Sequence, residues 1–187
     1  NCDVVVIGHK GHPEVEGTCG HASGSVHVVS SPEEVQRLQV KDPRRVGCVT
    51  QTTLSIDDTA EMLTALRKQF PEITEPARTD ICFATSNRQA AVRGLSESVD
   101  LILVVGSKNS SNSNRLKELS EKLGTRAYLI NDASEIKLEW LHDVKHIGIS
   151  AGASAPEILV KEVIALLEKN GAHCSDCNGV VNENVVF

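Results

Sequence analysis

The sequence predicts an α/β protein: two similar subdomains, each with mainly parallel sheet flanked by helices. Three observations predict it. Short β-branched runs recur along the chain, nearly continuous in apolar character, which is how strands buried on both faces read. Many of these runs lead through a loop of small polar residues into an amphipathic helix. Aromatic residues make up only 3% of the chain, so the core has to rest on Val, Ile, Leu and Ala.

In chain order, the expected strands are Val4–Ile7, Val46–Val49, Ile81–Ala84, Leu101–Val105, Ala127–Ile130 and Ile147–Ile149. Ser31-Pro32-Glu33-Glu34 and Ser55-Ile56-Asp57-Asp58 each place an acid three residues after a serine, the pattern of a capping box opening a helix. In the second of these helices Leu63, Leu66 and Phe70 recur at helical spacing, and Pro71 helps to end it. A helix around Leu116, Leu119 and Leu123 should stop at Gly124. Ser154-Ala155-Pro156-Glu157 reads as the cap of a last helix, Ile158 to Lys169, stopped by Gly171. The stretch from Phe70 to Arg78 has two prolines and no periodicity, and is the expected junction between subdomains 1–78 and 79–187. Val4 begins a strand almost at once, and Val185-Val186-Phe187 looks like a strand stopped in progress, so both ends read as cuts in a longer protein.

Lys and Arg total 19 against 25 Asp and Glu, a net charge of 19 − 25 = −6. That balance argues against nucleic acid as the partner, because a phosphate backbone calls for a basic footprint. No apolar run approaches the ~20 residues that span a bilayer, and no signal-peptide pattern is present, so the expectation is a soluble intracellular protein without membrane partners.

The hydroxyl and amide side chains gather in four loops: Gln51-Thr52-Thr53, Thr85-Ser86-Asn87, Lys108 to Asn112, and Ala151-Gly152-Ala153-Ser154, each following an expected strand. In open α/β sheets ligands collect at the carboxyl ends of strands, where helix N-termini aim N–H groups at an anion. Any one loop is accounted for by turn and cap preferences alone, but four together point to a shared anionic ligand. None carries the Walker or dinucleotide glycine pattern, so ATP and NAD lack support.

Gly8-His9-Lys10-Gly11-His12-Pro13-Glu14-Val15-Glu16 is a further expected loop, with two histidines and two carboxylates. A carboxyl group there can protonate a leaving group, and a nearby histidine can hydrogen-bond an anionic substrate. Of six cysteines, Cys48 reads as core; Cys174 and Cys177 form a C-x-x-C pair that follows a helix, which does not suit a thioredoxin-like site. Cys82, read at a strand end before a polar loop, suits a nucleophile or a metal or iron–sulfur ligand.

The segments 8–18 (GHKGHPEVEGT), 50–59 (TQTTLSIDDT), 80–89 (DICFATSNRQ), 106–116 (GSKNSSNSNRL) and 150–160 (SAGASAPEILV) closely resemble the LytB family, the 4-hydroxy-3-methylbut-2-enyl diphosphate reductases, in order over nearly the whole chain. The resemblance implies two subdomains of a three-subdomain, trefoil-like fold around a 4Fe-4S cluster, with Cys82 as one of three cysteine ligands. It implies Glu14 as proton donor, His12 and Thr52 hydrogen-bonding around the substrate hydroxyl, and Ser110, Ser111, Asn112 and Ser154 holding the diphosphate. The implied reaction is the last step of the methylerythritol phosphate route, giving isopentenyl and dimethylallyl diphosphate with electrons from a ferredoxin- or flavodoxin-like donor, in bacterial cytoplasm or a plastid. In the family an N-terminal subdomain supplies the other two cluster cysteines and two further histidines. The resemblance therefore implies that this chain alone does not hold a stable cluster. Two other readings stand beside it: a non-catalytic diphosphate-binding module, and a metal or redox protein built on Cys174 and Cys177.

Overall fold

The apolar runs Val4–Ile7 and Leu101–Val105 each become the middle strand of a three-stranded parallel sheet. The computed structural model describes residues 2–76 and 80–175, and the chain forms two compact units, Asn1–Cys82 and Phe83–Phe187. The sequence reading drew the boundary between 78 and 79, which leaves Cys82 in the second unit; here it ends the first. Cys177 and the expected strand Val185-Val186-Phe187 lie outside the described residues.

In the first unit β1 (Asp3–Ile7) lies between β2 (Val26–Val29) and β3 (Val46–Thr50). Helices α1 (Pro13–His21), α2 (Pro32–Gln36) and α3 (Ile56–Gln69) complete it. Ser31 and Ser55 cap α2 and α3 as expected, each accepting the N–H three residues on at 3.3 Å. The core joins Val5, Ile7, Val29, Val35, Leu66 and Phe70. The expected junction is part of this unit as far as Thr74: its N–H donates to Val46 O at 2.8 Å and its C=O accepts the Cys48 N–H at 2.9 Å.

In the second unit β4 (Leu101–Val105) lies between β5 (Arg126–Ile130) and β6 (Ile147–Ala151), with helices α4 (Phe83–Ser96), α5 (Ser111–Lys122) and α6 (Glu157–Lys169). All five residues of β4 are buried. Ile102 and Val104 pack with Val92 and Leu116 on one face, while Leu101, Leu103 and Val105 pack with Val163 and Leu167 on the other. The strand orders, β2-β1-β3 and β5-β4-β6, are the same in both units.

Four expectations are corrected. Ile81–Ala84 is not a strand: from Phe83 onward the chain is helix α4, whose buried Thr85, Gln89 and Val92 fall at helical spacing. Thr85-Ser86-Asn87 accordingly lies inside α4 and not in a loop after a strand. The His-Pro-Glu segment is not an open loop but the start of α1, with Pro13 at its first position, where the missing N–H costs nothing. Ser154 does not cap α6; the cap position is Pro156, which has no side-chain acceptor to offer.

Candidate active site

Each unit gathers its polar side chains at the carboxyl ends of its strands. In the first unit the chain leaves β1 through Gly8 and turns at Gly11, whose φ of 82° favours glycine. His12 then caps α1, its Nδ1 accepting the Glu14 N–H at 3.2 Å, which puts the ring proton on Nε2. Glu14, half-buried in the first turn, reaches the loop after β3: its Oε1 accepts the Thr52 N–H at 2.8 Å. The same loop is held from the other side. Asp80 Oδ2 accepts the Thr50 N–H at 2.8 Å, and the Cys82 N–H donates to the Thr52 carbonyl at 2.9 Å. His12, Glu14, Thr52 and Cys82 are thus brought into one bonded cluster within this unit.

Gln51, which the sequence places only in a polar loop, and Asp80, to which it gives no site role, also belong to this cluster. Gln51, 2% exposed, accepts the His9 N–H at 3.1 Å and donates through Nε2 to Thr53 Oγ1 at 3.0 Å. Asp80 anchors the end of β3. The only local signal for either was a polar residue beside an apolar run.

In the second unit β4 ends in Val105-Gly106, and Ser110 caps α5 by accepting the Ser113 N–H at 3.3 Å. Ser110 and Ser111 are half-buried, and Asn112 is buried at 5% exposure. Neither the oxygen nor the nitrogen of the Asn112 amide has a hydrogen-bond partner, and the Ser113 hydroxyl is also buried without one. A buried amide left so costs about 1–3 kcal/mol, which a bound ligand or water can recover. Gly106 and Gly152 press against Ser113, and a Cβ on either would collide with its hydroxyl. Ser154 sits exposed in the turn after β6, two residues beyond Gly152. Ser113 is the member of this group that the sequence reading passed over.

Lys108 does not stand open to an anion. Its ammonium pairs with Glu135 at 3.0 Å. The Asn131 side-chain amide, the Asn131 N–H and Lys108 together pull the Glu135 carboxyl down to about 2.

A cavity of about 490 Å³ lies elsewhere, among Cys2, Asp3, Gly24, Lys41 and Arg45 at the amino ends of the first unit's strands. Ligands of parallel sheets collect at the opposite ends, which in each unit is where its own polar loops lie.

The described cysteines are Cys2, Cys19, Cys48, Cys82 and Cys174, all free. Burial pushes the Cys48 thiol up to about 11, in keeping with a core residue. Cys82 is exposed directly before α4. Among the described residues no group of three or more His, Cys, Asp or Glu is placed to hold a metal ion. Since a cuboidal cluster is held by several thiolates, these residues fit one ligand of such a cluster and not a complete set.

Two three-stranded parallel sheets flanked by helices, with polar loops at their strand ends, define the class as parallel α/β. A family model described as LytB protein matches residues 1–168, and the chain belongs to that family. It is 52% identical to the 4-hydroxy-3-methylbut-2-enyl diphosphate reductase of Psychromonas ingrahamii over 99% of this chain and 60% of that protein. With the same enzyme of Escherichia coli it shares 52% identity over 98% of this chain and 59% of the relative. The chain therefore spans about three-fifths of the length of the curated relatives it matches. Among solved structures it is similar to the E-1-hydroxy-2-methyl-but-2-enyl-4-diphosphate reductase of Plasmodium falciparum, with a TM-score of 0.85 and 36% identity over 89% of this chain and 52% of that one. A second reductase structure, described as the terminal enzyme of the non-mevalonate pathway, gives a TM-score of 0.50 and 35% identity, covering 90% of this chain and 60% of that one.

Proposed function

We propose that this chain is the part of a 4-hydroxy-3-methylbut-2-enyl diphosphate reductase that supplies the proton donor, one cluster ligand and the diphosphate-holding loop. The likeness to reductases across nearly the whole chain carries this reading. The unpartnered Asn112 amide at the start of α5 supports the diphosphate assignment.

In the proposed reaction an allylic C–O bond breaks and a C–H bond forms, consuming two electrons and two protons and releasing water. Protonation at either end of the allyl unit gives isopentenyl or dimethylallyl diphosphate. A 4Fe-4S cluster, when bound, supplies electrons one at a time. Cys82 would serve as one of its thiolate ligands. Glu14 delivers the proton that lets the hydroxyl leave as water; Thr52 N–H orients that carboxyl. His12, oriented by its own cap bond, hydrogen-bonds around the substrate hydroxyl. Ser110, Ser111, Asn112 and Ser154 hold the diphosphate with neutral donors and the N-terminus of α5. A ferredoxin- or flavodoxin-like protein delivers the electrons.

The test is iron and sulfide analysis, with turnover of the diphosphate substrate, on the protein produced from its complete gene and reconstituted without oxygen. Oxygen-labile iron that Cys82→Ala abolishes, together with product formation, is expected. Iron that survives this change but is lost with Cys174 and Cys177 would sink the reading.

A further inference from the structure

The two units share a local plan, and they differ at one informative position. In the first, the Gly8 N–H donates to Val29 O at 2.9 Å and the Gln51 N–H to Ile7 O at 2.8 Å. In the second, the Gly106 N–H donates to Ile130 O and the Gly152 N–H to Val105 O, both at 2.9 Å. Gln51 therefore occupies in one unit the position that Gly152 occupies in the other. Likewise Val15, third in α1, stands where Ser113 stands in α5. Beside Gly152 the space is taken by the Ser113 hydroxyl, which is itself left without a partner. In the first unit the Gln51 side chain, beside Val15, takes the matching space. Its Oε1 lies 3.1 Å, and the Val15 Cγ2 2.6 Å, from where a Cβ on Gly8 would stand.

The filling side chain is polar, which the core does not require. Its amide joins two loops: His9 N–H, in the segment leading to His12 and Glu14, and Thr53 Oγ1, next to Thr52. Those two loops meet only a few residues away, in the bond from the Thr52 N–H to Glu14. We infer that Gln51 is a positioning residue, whose amide fixes the loop of Glu14 against the loop of Thr52 so that the carboxyl stays aimed for proton delivery. This rests on the proposed role of Glu14 as proton donor.

Three substitutions separate positioning from mere support. Gln51→Ala removes both bonds and leaves a void. Gln51→Met keeps the length and the burial but makes neither bond. Gln51→Glu retains an oxygen for the His9 N–H and accepts from the Thr53 hydroxyl. In the reconstituted protein from the complete gene, Gln51→Met is expected to lower kcat about 10- to 100-fold, the scale on which small misplacements act. KM should stay within about threefold, since binding of the ground state is not touched. Gln51→Glu should recover most of kcat. Amide exchange of His9 and Thr52, followed by NMR, should quicken in the Met and Ala variants and not in the Glu variant.

Full turnover in Gln51→Met, or exchange unchanged at Thr52 while kcat falls, would overturn the inference. Full turnover in Glu14→Gln would instead overturn the proton-donor reading, and the catalytic role of Gln51 with it. Loss of turnover in Glu14→Gln beside full turnover in Gln51→Met defeats the present inference alone.

Discussion

Glu14 and Thr52, 38 positions apart, meet through the backbone: the Thr52 N–H donates to Glu14 Oε1 at 2.8 Å. The carbonyl of the same threonine accepts the Cys82 N–H at 2.9 Å. One residue in the loop after β3 thereby fixes the carboxyl proposed as proton donor and the thiol proposed as cluster ligand. Because both bonds are made by the main chain, they outlast any change of the threonine side chain other than to proline. Loss of activity in Thr52→Val would report on the hydroxyl alone, with Glu14 still held.

Glu14→Gln keeps an oxygen that can accept the Thr52 N–H, yet carries no proton to transfer. Turnover should therefore fall by about 10²- to 10⁴-fold, the usual worth of a positioned general acid. Substrate affinity should stay close to normal. Single-turnover measurements on the reconstituted protein check this, and a rate within about threefold of the unaltered protein would remove Glu14 from the role.

Asn112 sets stability against binding. Its buried amide has no partner on either atom, so Asn112→Ala should leave the melting temperature unchanged or raise it. The double change Ser111→Ala with Asn112→Ala should weaken inorganic pyrophosphate binding about 100-fold, the loss of roughly two hydrogen bonds to a charged group. Calorimetry gives both numbers. An equal loss of affinity for an analogue lacking the diphosphate would show that these residues hold something else.

What was legible in the sequence follows from where each signal resides. β4 was read correctly because five buried residues in a row are a local pattern. Strand β2, Val26 to Val29, was passed over; only Val29 of it is buried, and His27 interrupts the run. Helix α1 was invisible to periodicity because Val15 is its one buried residue. Its start was nevertheless written in His12 and Pro13, a cap and a first-turn proline. Ile81–Ala84 misled because a short apolar run does not distinguish a strand from the approach to a helix. The site residues came from resemblance to a family, whereas the bonds joining them did not. Thr52 to Glu14, Asp80 to Thr50 and Gln51 to His9 each span at least 30 positions, and no local pattern encodes such a bond.

Gly152→Ala tests how tightly the start of α5 is seated. The added Cβ would strike the Ser113 hydroxyl, and Ser113 is buried with little room to yield. Overpacking of this kind costs about 1–3 kcal/mol. Ser113→Gly in the same molecule should return most of the loss, a coupling that a double-mutant cycle in urea measures. Additive effects would mean that Gly152 is needed for its backbone and not for the space it leaves.

Glu135 predicts a pH dependence whose sign is fixed by its surroundings. The Asn131 amide and N–H, together with Lys108, bring its carboxyl from the ordinary 4.5 to about 2 in the folded chain. A group with a lowered folded value binds fewer protons than its unfolded counterpart between those two pH values. Its contribution to stability is therefore complete above the ordinary value and drains away as pH falls toward 2. Glu135→Gln lacks this dependence, so the stability difference between the two proteins should be constant near neutrality and shrink on acidification. Urea unfolding at about pH 7, 4 and 2.5 covers the window. A difference that stayed constant throughout would mean that Glu135 is not held as an anion by Asn131 and Lys108. The loop from Lys108 to Ser110 would then owe its placement to the Ser110 cap and the bonds from Asn114 to the Lys108 and Ser110 carbonyls.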